Sequence, residues 1–213
     1  MLALCNAAIM LIFRGDLPSR LAEEFNRVPR VAWDVETTGL DWRRDRLGTC
    51  QLFAENVGVA IVAMESDRPH RLAALLEEPG IEKVFHHAPF DLRFMVRAWN
   101  SWPTSVRCTK VASRLLAPES PNKAHSLQEL VYRHLGVSLK KGLVRTSDWS
   151  GAELTAEQIE YATRDVLYLL PLLDVLQESL NSRGMARLYE SCCAFLPACA
   201  ALEINGYSDV FAY

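Results

Sequence analysis

The sequence predicts an α/β domain, a mixed central β-sheet flanked by helices. Three observations carry that expectation. Runs rich in β-branched and aromatic residues crowd the first third, strand-length and helix-length segments alternate through the middle, and helical periodicity dominates from Cys108 onward. With 213 residues, half of them hydrophobic and 23% charged, the chain has enough apolar material for one folded core and is unlike a disordered or fibrous protein.

The elements follow in order. "AAIMLIF" (7–13) reads as a buried strand and "LPSRLAEEFNRV" (17–28) as a short helix. "RVAWDVET" (30–37), "GTCQLFA" (48–54) and "NVGVAIVAM" (56–64) read as strands, separated by Gly, Asp and Asn. "PHRLAALLEEPG" (69–80) opens on Pro and closes on Pro-Gly, as a helix should. "IEKVFHH" (81–87) returns to strand and "APFDLRFMVRAW" (88–99) to helix. "TKVASRLL" (109–116), "SLQELVYRHLG" (126–136), a long segment over 155–180 and "GMARLYESCCAFLPACAALEING" (184–206) have helical periodicity, with "APESPNKAH" (117–125) as a loop. In the long segment Thr155 and Gln158 form a capping-box pattern, and Pro171 is expected to kink or break the helix. The expected organisation is a catalytic domain over 1–182 with a helical extension over 183–213.

The apolar start "MLALCNAAIMLIF" contains Asn6 and ends at Arg14, too short to span a bilayer, so no membrane partner is expected. No basic residue precedes the run and no small-residue cleavage pattern follows it, unlike a secretory signal. The six cysteines form no C-x-x-C pair, which points to reduced thiols and a cytoplasmic location. A formal net charge of −3 confines any nucleic-acid contact to local clusters such as Arg43, Arg44 and Arg46, or Lys140, Lys141 and Arg145.

Four carboxylates stand out. "VAWDVETTGL" places Asp34 and Glu36 two residues apart on a strand, hence on one face of the sheet. Burying two acids side by side is costly without a positive compensator, and a metal ion is the simplest one; a strand with one wet face is the alternative. "VFHHAPFDLRFM" sets Asp91 in the first turns of a helix, where it either serves the site or complements the helix dipole. "IEYATRDVLYLL" sets Tyr161 and Asp165 four residues apart, about 6 Å along one helix face. An all-oxygen donor set favours Mg2+ or Mn2+ over zinc, and several carboxylates around a pair of such ions describe a two-metal phosphoryl-transfer site.

D-x-E in the first motif, H-x-x-x-F-D in the second and Y-x-x-x-D in the third resemble, in order and separation, the exonuclease motifs of the DEDD superfamily in its tyrosine-bearing branch. "SLQELVYRHLGVSLKKGLVRTSDW" followed by "LTAEQIEYATRDVLYLLPL" is similar to ribonuclease D, including Ser147, Asp148 and Trp149. The resemblance, over roughly residues 8–180, implies a ribonuclease H-like fold and 3′-5′ exonucleolytic hydrolysis to nucleoside 5′-monophosphates with two Mg2+ or Mn2+ ions. It implies Asp34, Glu36, Asp91 and Asp165 as metal ligands and a water-orienting hydroxyl at Tyr161. It further implies substrate contacts at Thr37, at Leu40 as an apolar wedge beside the terminal base, at His87 and at Lys141. His87 stands where the family usually has Asn, and Lys140 where ribonuclease D commonly has an acidic residue.

"ARLYESCCAFLPACAALEINGY" resembles the junction after the proofreading domain of family A DNA polymerases, through Glu190, Pro197, Glu203 and Gly206. A stand-alone RNA-processing exonuclease and a DNA-directed proofreading domain therefore both stay open, each acting on single-stranded or frayed 3′ ends of RNA or DNA. A catalytically silent nucleic-acid-binding module is the rival from another class; it is disfavoured because all four acids and the tyrosine are present. A metal-dependent phosphatase would act on mononucleotides instead.

Overall fold

The computed structural model describes residues 10–65, 68–139, 144, 147–149, 151, 153–207 and 210–212. Six strands form one mixed sheet: β1 (Met10–Arg14), β2 (Arg30–Thr37), β3 (Leu47–Ala54), β4 (Gly58–Ala63), β5 (Glu82–Phe85) and β6 (Val106–Cys108), in the order β1-β4-β3-β2-β5-β6. β3 runs antiparallel to both β2 and β4, while β1 pairs parallel with β4, and β5 pairs parallel with β2 and β6. The helices are α1 (Ser19–Phe25), α2 (His70–Glu77), α3 (Ala88–Trp99), α4 (Thr109–Leu116), α5 (Leu127–Leu135), α6 (Ala156–Leu167), α7 (Leu169–Ser182) and α8 (Ala186–Ile204). Among the described residues, no helix is long and apolar enough to cross a membrane.

The expected α/β class holds, and β2, α3 and α4 begin and end where the sequence places them. From Gly48 to Ala54 every residue of β3 is buried, which an antiparallel strand achieves only when helices cover both faces of its sheet. One face of β2 packs apolar: Trp33 lies 6.1 Å from Phe85 and 6.3 Å from Trp99, centroid to centroid. The opposite face carries Asp34 and Glu36.

Four local expectations are revised. β1, expected as a buried strand, is an edge strand of the sheet with Met10, Leu11 and Ile12 exposed. β6 was not expected, because three residues are too few to show a period, and the loop at 117–125 contains a 3-10 turn at Asn122–His125. The 155–180 segment is two helices, separated at Tyr168 and not at Pro171. Pro171 is the third residue of α7, in a first turn where no intrahelical acceptor is needed for its missing N–H.

Beyond residue 182, α8 packs its Tyr189, Cys193, Leu196 and Ala200 into the same core as the sheet. The Tyr189 hydroxyl accepts from Cys108 N at 3.1 Å at the end of β6, and Arg93 of α3 pairs with Glu203 at 2.6 Å.

Candidate active site

The register of β2 on β3 builds the first half of the site. Asp34 lies opposite Gln51 and Glu36 opposite Thr49, so four polar side chains share one face. Gln51 Nε2 donates to Asp34 Oδ2 at 2.6 Å, and Thr49 Oγ1 donates to Gln51 Oε1 at 3.1 Å. Thr49 and Gln51 are fully buried, which makes the relay a fixed support for Asp34 and not a wet surface. The pairing shifts register between Glu36 and Thr37, where the strand turns into the 38–46 loop.

α6 builds the second half. Its N-terminus is set by the capping box: Gln158 N donates to Thr155 Oγ1 at 3.2 Å and Thr155 N to Gln158 Oε1 at 2.9 Å. Gln158 Nε2 also reaches Ser147 Oγ at 3.0 Å and Asp148 O at 2.9 Å, tying the Ser-Asp-Trp stretch to the helix start. Trp149 is thereby buried with its ring centroid 6.1 Å from that of Tyr161. Gly48 completes the fit. A Cβ there would sit 2.4 Å from Trp149 O, a contact only glycine avoids.

These two halves meet. Asp34, Glu36 and Asp165 each offer a carboxylate oxygen, and the three oxygens lie within 4.8 Å of one another. The Tyr161 hydroxyl donates to Asp165 one helical turn away. Asp91 lies outside that triplet and is buried. β2 continues past the end of its pairing with β5 at Ala32, which leaves the Val35 N–H facing α3, and Asp91 Oδ1 accepts it at 3.2 Å.

The electrostatics of the cluster are those of a cation site. Burial pushes the Asp34 carboxyl up to about 7, against the pull of the Gln51 and Val35 hydrogen bonds. Burial first, then the charge of Asp34, holds Asp91 and Asp165 well above the usual carboxylate range. The Tyr161 phenol is raised above its ordinary value by burial and by the charges of Asp165, Glu36 and Asp34. Carboxylates forced this close in a partly buried site repel one another when ionised, and a divalent cation removes that penalty. An all-oxygen donor set of this size fits a hard ion such as Mg2+ or Mn2+.

The remaining expected residues scatter around this centre. The Thr37 hydroxyl donates to Gly39 O at 2.6 Å and shapes the loop that presents Leu40, which is 82% exposed. His87 precedes α3 in the left-handed conformation (φ 67°), and burial lowers its imidazole to about 4, so it stands neutral at physiological pH. Lys141 lies outside the described residues. Gln51 and Thr49 went unnoticed in the sequence, although polar residues two apart in an otherwise apolar strand are the same signal that marked Asp34 and Glu36.

A family model described as 3′-5′ exonuclease matches residues 10–181. DNA polymerase I of Aquifex aeolicus is 32% identical over 197 residues, which are 84% of this chain and 32% of the relative. Ribonuclease D of Musicola paradisiaca is 30% identical over 174 residues, 82% of this chain and 46% of the relative. The chain thus spans a third to a half of the curated relatives it matches. Among solved structures, Brucella melitensis NrnC bound to pGG superposes with a TM-score of 0.88 at 34% identity, covering 97% of this chain and 100% of NrnC. The same nuclease with bound Mg2+ gives 0.87 at 35% identity, covering 96% of this chain and 98% of NrnC.

Proposed function

Since the chain belongs to the 3′-5′ exonuclease family and is a ribonuclease H-like enzyme using divalent metal, we propose that Asp34, Glu36, Asp91, Asp165 and Tyr161 are its catalytic residues. The observation that carries this reading is the convergence of three carboxylates within 4.8 Å beside a tyrosine hydroxyl. In this reading residues 1–182 form the catalytic domain and 183–213 a helical extension that buttresses α3.

Asp34, Glu36 and Asp165, with Asp91 as the fourth carboxylate, would hold two Mg2+ or Mn2+ ions. Bound ions of this kind acidify the attacking water and stabilise the leaving 3′ oxygen. The protein's share is positioning. Gln51 fixes the rotamer of Asp34, and Trp149 fixes the ring of Tyr161. Tyr161 keeps its proton, because burial and three neighbouring carboxylates disfavour the phenolate, so it orients water by hydrogen bonding and does not abstract a proton. Exposed Leu40 would lie against the terminal base, with Thr37, His87 and Lys141 as further substrate contacts.

The substrate we propose is the single-stranded or frayed 3′ end of RNA, as in ribonuclease D, released as nucleoside 5′-monophosphates in the cytoplasm. The pGG bound to NrnC, a protein this chain covers end to end, favours very short oligonucleotides as a second reading. Similarity to DNA polymerase I keeps DNA as an alternative. The test is hydrolysis of labelled single-stranded RNA and DNA of equal sequence, and of pGG, with Mg2+ or Mn2+, alongside Asp34→Ala and Asp165→Asn. Wild type should shorten the strands from a free 3′ end and the variants should not. Equal activity in the variants, or cutting from a blocked 3′ end, sinks the reading.

A further inference from the structure

Asp91 is the carboxylate of the four that stands outside the triplet, and its place depends on how α3 begins. Only His86 and His87 separate the end of β5 from Ala88, the first residue of α3, and Asp91 follows in the first turn. We propose that His86 and Thr109 are positioning residues for Asp91: the hydrogen bond between them fixes the β5–α3 turn and so places the fourth carboxylate. The proposal rests on the reading of Asp91 as a site residue and gives that residue its support.

The contact follows from the sheet. β5 and β6 are parallel neighbours with Phe85 opposite Cys108, so the turns that leave them, into α3 and α4, run side by side. Thr109, the first residue of α4, is fully buried, and its hydroxyl donates to Phe85 O at 3.3 Å. A hydroxyl has one hydrogen, so across the 2.8 Å contact it is His86 Nδ1 that donates to Thr109 Oγ1. Burial first, then the charge of Lys110, lowers the His86 imidazole to about 3, which leaves a neutral ring with a single N–H for this bond. The Cys108 thiol faces the backbone N–H groups of His87 and Ala88, a second tie between the two turns.

The turn needs holding. His87 has φ 67° and ψ 42°, a left-handed conformation unfavourable for a residue with a side chain, and it makes no side-chain cap on α3. Such a conformation persists only where its surroundings over-determine it. Without the His86–Thr109 bond the turn is free to relax, which would rotate the first turn of α3 and move Asp91. Asp91 would then lose the Val35 N–H, already at 3.2 Å. The Val35 amide therefore reports where Asp91 stands with no ion or substrate present.

The experiment is hydrogen exchange of the Val35 amide in chelator, with Leu52, paired on both sides in β3, as internal control. The proteins are wild type, Thr109→Val, His86→Leu, and the conservative variants Thr109→Ser and His86→Asn. Valine keeps the shape of threonine without the acceptor, and asparagine can offer an N–H in place of His86 Nδ1. Thr109→Val and His86→Leu should each lower Val35 protection by about tenfold relative to Leu52, and Thr109→Ser and His86→Asn should restore it. Added to Asp91→Ala, which frees the Val35 amide by itself, Thr109→Val and His86→Leu should lower its protection no further. Equal losses at Val35 and Leu52, no loss in either variant, no rescue by the matching conservative variant, or a full further loss on Asp91→Ala overturns the proposal. A Thr109→Val chain without a cooperative melt leaves the decision to His86→Leu and His86→Asn. Calorimetric titration with Mn2+ is scored separately, with a loss of affinity of about 10–100-fold expected in Thr109→Val and His86→Leu. Selective loss at Val35 with Mn2+ affinity unchanged overturns Asp91 as a metal ligand and leaves its positioning by His86 and Thr109 standing.

Discussion

Gln51 reaches across from β3 to hold Asp34 through a 2.6 Å hydrogen bond, and Thr49 holds Gln51 in turn. A buried relay of this kind fixes a carboxylate in one orientation and lowers its proton affinity, opposing the burial that raises it. Gln51→Leu keeps the volume and removes the donor. The expected outcome is a loss of about 10–100-fold in metal affinity or kcat/KM, the usual cost of losing a ligand's supporting partner, with the fold retained by circular dichroism. Calorimetric titration with Mn2+ beside steady-state kinetics checks it.

Tyr161→Phe removes one hydroxyl and leaves the ring that packs against Trp149. Hydrolysis should fall by about 100-fold or more in kcat, while Mn2+ binding stays close to wild type. A parallel collapse of metal binding would show that the hydroxyl holds Asp165 for the ion and does not serve the water.

Gly48→Ala pushes a methyl into the backbone of Trp149, which approaches to 2.4 Å. The rigid neighbour is a carbonyl and not a flexible side-chain end, so the 147–149 stretch has to shift. A destabilisation of about 1–3 kcal/mol is expected, together with lower activity because Trp149 no longer seats Tyr161. For a domain of this size each kcal/mol is read as about 2–4 °C in Tm.

The carboxylate cluster should make the metal-free protein more stable as the pH falls toward 7. Asp34 binds its proton more tightly folded, up to about 7, than unfolded, near 3.9, so between those values the folded state carries more protons. The stabilisation is complete below about pH 4 and lost as the pH rises through about 7; Asp91 and Asp165, shifted the same way, act in the same sense. Because His86 and His87, lowered by burial to about 3 and about 4, act in the opposite sense below about pH 6.5, the carboxylate effect is read above it: thermal melts in chelator should show a higher Tm near pH 7 than near pH 8.5, and saturating Mg2+ should raise the Tm at pH 8.5 most. A Tm that instead climbs with pH over that range in chelator contradicts the raised carboxylate values.

The sequence by itself determined what local periodicity can express. A two-residue strand period put Asp34 and Glu36 on one face, a 3.6-residue helix period put Tyr161 beside Asp165, and the Thr155–Gln158 pair marked the start of α6. Only the tertiary structure decided which of these groups meet. The register of β2 on β3 chose Gln51 as the partner of Asp34. The early end of β5 exposed the Val35 N–H that Asp91 takes, and the close pass of Trp149 over Gly48 set the wall behind Tyr161. The short strand β6 and the break at Tyr168 escaped for a related reason, since three residues show no period and a helix break is settled by packing as much as by a nearby proline. Side-chain direction is written into the backbone repeat of each element, whereas convergence depends on the relative placement of elements far apart in the chain.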